Sequence, residues 1–167
     1  TSTGMLELAG GSYDNYPIEK NVAYAAPVEG YEIVENTNGT YGVEKSAVAK
    51  IGDVEYKYLQ AAIDAAQNDA TIMMIADVTV AEEVIIDNTE KAVTLDMNGK
   101  TWNGAIKPSN AKLTIKNGTI NNENASISAI EINAGELNLN NVNIASARHA
   151  VRIDGDVEAT INGGTYK

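Results

Sequence analysis

Between Leu95 and Tyr166 apolar and polar residues alternate in short bursts, and one eight-residue phrase recurs. It reads Leu95-Asp-Met-Asn-Gly-Lys-Thr-Trp102, then Leu113-Thr-Ile-Lys-Asn-Gly-Thr-Ile120, then Leu137-Asn-Leu-Asn-Asn-Val-Asn-Ile144, and more loosely Ala159-Thr-Ile-Asn-Gly-Gly-Thr-Tyr166. Positions one and three are Ala, Leu, Ile or Met, the period-two pattern of a strand with one buried face. Position five is Gly99, Asn117, Asn141 or Gly163. Gly and Asn enter the left-handed backbone region most cheaply, so a corner is predicted there in every copy. Position eight is large and apolar again.

The copies begin 18, 24 and 22 residues apart, from the differences between 95, 113, 137 and 159. Ala105–Ile120 also lies on Ala129–Ile144 without a gap. A period of this length, made of short strands and tight corners, marks a solenoid whose copies bury their apolar side only by stacking. The predicted architecture is mainly β, a right-handed parallel β-helix, with Leu113, Ile115, Leu137, Leu139, Val151, Ile153 and Ile161 pointing inward.

Upstream, Tyr31–Glu35 and Tyr41–Lys45 flank Asn36-Thr-Asn-Gly-Thr40 and predict a hairpin. A second hairpin is predicted at Val48–Ile51 and Val54–Tyr56 around Gly52-Asp53. Leu59, Ala62, Ile63 and Ala66 fall at helical spacing and predict a short helix from about Tyr58 to Gln67, without a Ser, Thr or Asp cap. Short apolar runs at 71–75, 78–80, 84–86 and 93–95 are the expected first rungs. The first rung of a solenoid exposes core and open strand edges, and the helix is expected to cover them. Asp14 to Glu29 carries Pro17 and Pro27 and no periodicity, and reads as a linker. The predicted organisation is therefore the end of a preceding repeat, linker and hairpin connector over 1–50, hairpin and capping helix over 51–70, and parallel β-helix over 71–167.

Composition narrows the partners. The 167 residues carry a net charge of −11, which disfavours nucleic acid and anionic membranes. There is no Cys, hence no disulfide framework and no thiolate metal site. There is no Phe, and the apolar 44% suits a narrow aliphatic interior. No run is long and apolar enough to span a bilayer, so membrane insertion is not expected. Residues 1–10 do not read as a signal peptide, and any export or anchoring signal is expected outside this stretch.

Ile51-Gly-Asp-Val-Glu-Tyr56, Leu59-Gln-Ala-Ala-Ile-Asp-Ala-Ala66, Thr71-Ile-Met-Met-Ile75 and Val93-Thr-Leu-Asp-Met-Asn-Gly-Lys-Thr101, in that order, resemble the entry to pectate-lyase-like right-handed β-helix domains. Such domains recur in large surface proteins of Gram-positive gut bacteria. Gly11-Ser-Tyr13, Gly30-Tyr-Glu-Ile-Val-Glu-Asn36 and Gly39-Thr-Tyr-Gly-Val43 resemble the hairpin connector between them. The pattern departs at Lys57-Tyr58, where a capping Ser or Thr is usual, and at Ala70, where the turn is usually Gly-Asp. The resemblance implies an extracellular, secreted or cell-surface, structural or adhesive protein; a fold shared with some enzymes does not carry their activity across.

Three sets of residues offer chemistry. Arg148, His149, Arg152, Asp154 and Asp156 supply the basic and acidic types a polysaccharide lyase needs to abstract a proton and hold calcium. They also alternate with Ala150, Val151 and Ile153 as an exposed strand face does, and Asp-Gly-Asp is ordinary turn chemistry. Tyr13, Tyr16, Tyr24, Tyr31, Tyr41, Tyr56 and Tyr58 precede the solenoid and offer rings for stacking on host or cell-wall glycans, or for cross-strand packing. Glu82, Glu83 and Asp87 are acidic, but the nonapeptide of calcium-binding coils is missing. The favoured reading is a non-enzymatic module, a stalk or adhesin with no cofactor, metal or catalytic residues. A carbohydrate-binding domain is the first alternative and a β-helix polysaccharide lyase or hydrolase the second.

A fifth copy of the phrase, Leu6-Glu-Leu-Ala-Gly-Gly-Ser-Tyr13, sits far from the rest and matches the last copy best. It reads as the end of a preceding β-helix. Leu6 and Leu8 on one side, and Ile161 and Tyr166 on the other, are the expected inter-module edge, an orphan strand facing an open rung in head-to-tail self-association.

Overall fold

The computed structural model describes residues 6–15, 25–87 and 91–167. Tyr16, Tyr24 and most of the expected linker lie outside them. The chain divides into two compact units, Thr1–Ser46 and Ala47–Lys167.

In the first unit the strands are β1 (Leu6–Leu8), β2 (Ser12–Tyr13), β3 (Ala25–Pro27), β4 (Tyr31–Glu35) and β5 (Tyr41–Lys45). β4 and β5 form the predicted hairpin, Ile33 opposite Val43, closed by Gly39 at φ +81° and by the Asn36 amide donating to Thr40 Oγ1 at 2.9 Å. β2 joins its edge antiparallel, with Tyr13 opposite Tyr41. β1 is not an orphan: it pairs in parallel with β3, Leu6 with Ala25 and Leu8 with Pro27. β3 escaped the sequence pattern because Ala-Ala-Pro has little strand propensity. A Pro with no N–H is tolerated only where that side of the strand needs no donor.

The second unit begins with β6 (Ala49–Ile51) and β7 (Val54–Tyr56), the second predicted hairpin, turning at Gly52. Helix α1 follows at Leu59–Ala65 and is shorter than its apolar spacing, as expected of a helix whose Tyr58 cap makes no side-chain hydrogen bond. Then come β8 (Ala70–Met74), β9 (Val78–Asp87), β10 (Ala92–Asp96), β11 (Thr101–Ser109), β12 (Ala111–Asn122), β13 (Ile130–Ser146) and β14 (Val151–Asn162). From β8 onward every pairing between successive rungs is parallel. The unit is a parallel β-solenoid with one short helix, the architecture the repeat predicts.

Register turns the phrase into interior columns. One runs Ile72, Leu95, Ile115, Leu139, Ile161; another runs Val78, Trp102, Ile120, Ile144, Tyr166. Their middle members are fully buried, Trp102, Ile115 and Leu139 at 0% exposure. Position five turns as predicted, with φ of +76° at Gly99, +59° at Asn117, +54° at Asn141 and +77° at Gly163. The first copy needs correction. Val93, not Leu95, faces Leu113, while Trp102 still faces Ile120, so the corner before Trp102 is two residues longer than its neighbour. The true step there is 113 − 93 = 20 residues rather than 18.

Ile153 and Ile161 also depart from expectation. Register puts them behind Ile132 and Leu139, on the inward side, yet they are 46% and 50% exposed. Among the described residues β14 pairs with β13 alone, and its apolar residues are left uncovered on the other side.

The first rung is closed by three devices. β6 pairs antiparallel with the outer edge of β8, Ala49 opposite Met74. Leu59, Ala62 and Ala66 of the helix segment are fully buried in the solenoid core, with Ile63 packed partly against it. Gln60 donates from Nε2 to the Ile85 carbonyl at 2.9 Å and accepts the Ile85 N–H at Oε1 at 2.8 Å, so one amide does for β9 what a neighbouring strand would do.

Candidate functional site

The last two rungs bring the basic and acidic candidates onto one face. Arg152 and Asp154 lie two strand positions apart on β14, and so on one face, and parallel pairing sets Glu131 of β13 beside Arg152. The Arg152 guanidinium spans both carboxylates, at 2.7 Å from Asp154 and 3.3 Å from Glu131. Arg148 and His149 lie outside the strands in the preceding turn and engage another neighbour. Arg148 Nη1 donates to the Ser126 carbonyl, and His149 Nδ1 lies 3.3 Å from the buried Ser128 hydroxyl. The His149 carbonyl accepts the Ala129 N–H at 3.0 Å, which fixes this turn onto the rung before it. Asp156 is exposed beyond Gly155.

Thus the five candidates sit close in the chain, but their contacts divide. Arg148 and His149 brace the 126–128 turn, and Arg152 is neutralised between two carboxylates. A base that abstracts a proton near neutral pH is an unpaired or burial-shifted group within reach of substrate.

Beside this cluster runs a shallow groove of about 530 Å³, lined by Ile85, Lys107, Pro108, Glu131, Asn133 and Asp154 among others. It lies on the outer face of β9, β11, β13 and β14, one rung per strand, so its wall is a ladder repeated at the spacing between parallel strands. Lys107 pairs with Glu83 at 2.6 Å across two rungs, and Ile85 is 51% exposed at its first rung. An apolar spot beside alternating donors and acceptors is the mixture that sugar faces and hydroxyls bind. The sequence alone did not join these residues, because they are brought together by register over four strands.

On another outward face small polar residues stack from rung to rung: Thr71, Thr94, Thr114, Asn138 and Thr160. Near the corners, Asn103 donates to the Thr79 carbonyl at 2.8 Å, Asn162 to Asn140 at 3.0 Å, and Thr165 Oγ1 to Asn143 at 2.8 Å. Asp96 accepts from the Asn98 N–H at 3.0 Å and the Asn117 amide at 3.3 Å, and it pairs with Lys116 at 3.2 Å. Burial pushes its carboxyl up. The hydrogen bonds from Asn98, Lys116 and Asn117 outweigh that and hold it below the usual carboxylate range.

The tyrosines divide as well. Tyr13 and Tyr41 are direct cross-strand partners, Tyr31 lies opposite Lys45, and Tyr56 packs on the solenoid core. Tyr58, at the helix cap, is 52% exposed. Among the described residues, no three His, Asp or Glu side chains gather closely enough to hold a metal ion. No described helix is long and apolar enough to cross a membrane. Of the four residues expected at an inter-module edge, Leu6 is 58% exposed, Leu8 is buried, Ile161 is half exposed, and Tyr166 bridges Ile144.

The chain is a β-solenoid. No protein-family model matches it, and no functionally described protein or solved structure does so either.

Proposed function

We propose that the chain is a non-enzymatic structural module of a secreted or cell-surface bacterial protein, a stalk or adhesin of the pectate-lyase-like kind found in Gram-positive surface proteins. The observation that supports this most is where the polar side chains of the last rungs are spent. Arg152 is held by Glu131 and Asp154, Arg148 by the Ser126 carbonyl, and His149 lies against Ser128. Each braces one rung on the next, as a spacer requires and a proton-transfer site does not. The net charge of −11 keeps such a surface soluble and away from anionic membranes.

Incubating the protein with pectin, alginate and glycosaminoglycans tests the reading. No unsaturated or reducing sugar is expected; turnover lost in Arg152→Ala would replace it with a lyase.

The groove favours a second reading, carbohydrate binding. Titrating a glycan panel by calorimetry separates the two. Millimolar or tighter binding abolished by Ile85→Ser or Asn133→Ala locates a sugar site in the groove. Loss on Tyr13→Ala or Tyr41→Ala locates it on the hairpin sheet instead.

A further inference from the structure

The phrase at Leu6–Tyr13 and the phrase at Ala159–Tyr166 are built alike. In each the closing tyrosine hydroxyl donates back three residues, Tyr13 to the Gly10 carbonyl and Tyr166 to the Gly163 carbonyl, both at 3.0 Å. In each the second glycine has a positive φ, +115° at Gly11 and +93° at Gly164. What differs is the neighbour. Leu6–Leu8 has Ala25–Pro27 in parallel beside it, the Leu8 carbonyl accepts the Val28 N–H at 2.9 Å, and Leu8 is only 8% exposed. The Gly11 carbonyl accepts the Val43 N–H at 3.1 Å, and Ser12 and Tyr13 pair with Gly42 and Tyr41. On β14 the corresponding strand, Ala159–Ile161, pairs with Leu137–Leu139 on one side, and Ile161 is 50% exposed.

We propose that β14 of one copy takes the place of β1 in a second copy, pairing in parallel with that copy's β3 and, through Thr165 and Tyr166, with its β5. The register carries over directly: Ala159, Thr160 and Ile161 replace Leu6, Glu7 and Leu8 opposite Ala25, Ala26 and Pro27. This is strand exchange, not addition of β1 to an open rung. Exchange leaves β3 and β5 beside the same phrase that already pairs with them, a short strand followed by Gly-Gly, Ser or Thr, and Tyr. The interface is heterologous, head to tail, and so forms rings or chains rather than a two-fold dimer. The outgoing β1 is tethered beside β3 at an effective concentration of the order of millimolar, so exchange needs comparable chain concentrations. Two copies each of charge −11 repel, and added salt promotes the exchange.

The absence of Cys makes the test clean. Full-length Thr160→Cys and full-length Ala26→Cys are mixed at about 1 mM and oxidised, since adjacent parallel strands set paired Cα atoms about 4.8 Å apart, within disulfide range. The expected result is a disulfide heterodimer several-fold more abundant than the homodimers of either variant alone. A synthetic peptide of residues 159–167 should compete it away. In a parallel arm, deleting residues 1–13 removes the competing strand and should lower the concentration of half-association, read by light scattering, by about tenfold or more. Heterodimer no more abundant than homodimer overturns the proposal. So does a Thr160→Cys, Ala26→Cys double variant that forms only an intramolecular disulfide.

Discussion

Gly104→Ala is a one-methyl test of how closely the rungs approach. A Cβ at Gly104 would stand 1.7 Å from the Glu82 carbonyl oxygen, 2.7 Å from its carbon and 2.8 Å from its nitrogen. All three are backbone atoms of the preceding rung, and no rotamer can move them. The residue also sits at φ +131°, in a region that L side chains rarely adopt, next to the register shift between Trp102 and Gly104. Backbone strain of this kind costs about 1–3 kcal/mol, and forcing an extra methyl into a packed site costs about 1–3 kcal/mol more. The sum, about 4 kcal/mol, is a large part of the ~5–15 kcal/mol that holds a domain together. Gly99→Ala is the control: φ is +76°, but nothing lies within 4 Å of the added methyl. It should lose only the left-handed penalty, about 1 kcal/mol. Urea unfolding followed by circular dichroism should give a much lower midpoint for Gly104→Ala than for Gly99→Ala, with the slope unchanged in both. Equal midpoints would refute the close approach of the two rungs.

Leu59→Ala should lose about 3 kcal/mol, because the side chain is fully buried over the first rung. Ile63→Asp should be milder, since Ile63 is only partly buried; a cost at or above that of Leu59→Ala in the same urea titration would reverse the roles of the two positions. Gln60→Leu removes two hydrogen bonds to Ile85 and should cost about 1 kcal/mol, with faster amide exchange at Ile85 as the direct readout. Asp96 titrates below its unfolded value, so its stabilisation is full above the ordinary carboxylate pKa and is lost as pH falls through the depressed one. The midpoint of the wild type should therefore fall more steeply than that of Asp96→Asn below about pH 4.

The solenoid was legible because its corners use residues with a conformational reason to be there. Asn117 and Asn141 take positive φ, and the aliphatic pairs beside them fill the columns. Both hairpins were legible for the same reason, with Gly39 and Gly52 marking the turns. The corner at Met97–Lys100 was misread because two adjacent residues there, Asn98 and Gly99, are left-handed, and spacing alone cannot say which begins the next strand. β3 was missed because its pairing depends on a distant strand rather than on its own propensity. The groove was invisible because Ile85, Lys107, Glu131 and Asp154 are dozens of residues apart and meet only through the stacking. The basic and acidic residues at 148–156 were legible as a group. Their division into separate contacts was not, since Ser126 and Glu131 come from the neighbouring rung.

The stacking of parallel rungs also sets how the molecule bears tension. Among the described residues, each rung beyond the first ones is bonded to its neighbours in the stack, and β14 pairs with β13 alone. A pull on the carboxyl end loads first the bonds that hold Thr165 and Lys167 to Ile144 and Ser146, and then those between β13 and β14. These open in sequence, like a strip being peeled, while the rungs behind stay intact. The register steps of 159 − 137 = 22 and 137 − 113 = 24 residues fix how much chain each event releases. At about 3.4 Å per residue that is roughly 75–80 Å of slack. Force on such a module is dissipated in several small yields rather than in one break, and each yield is reversible as long as the rung beneath it remains as a template.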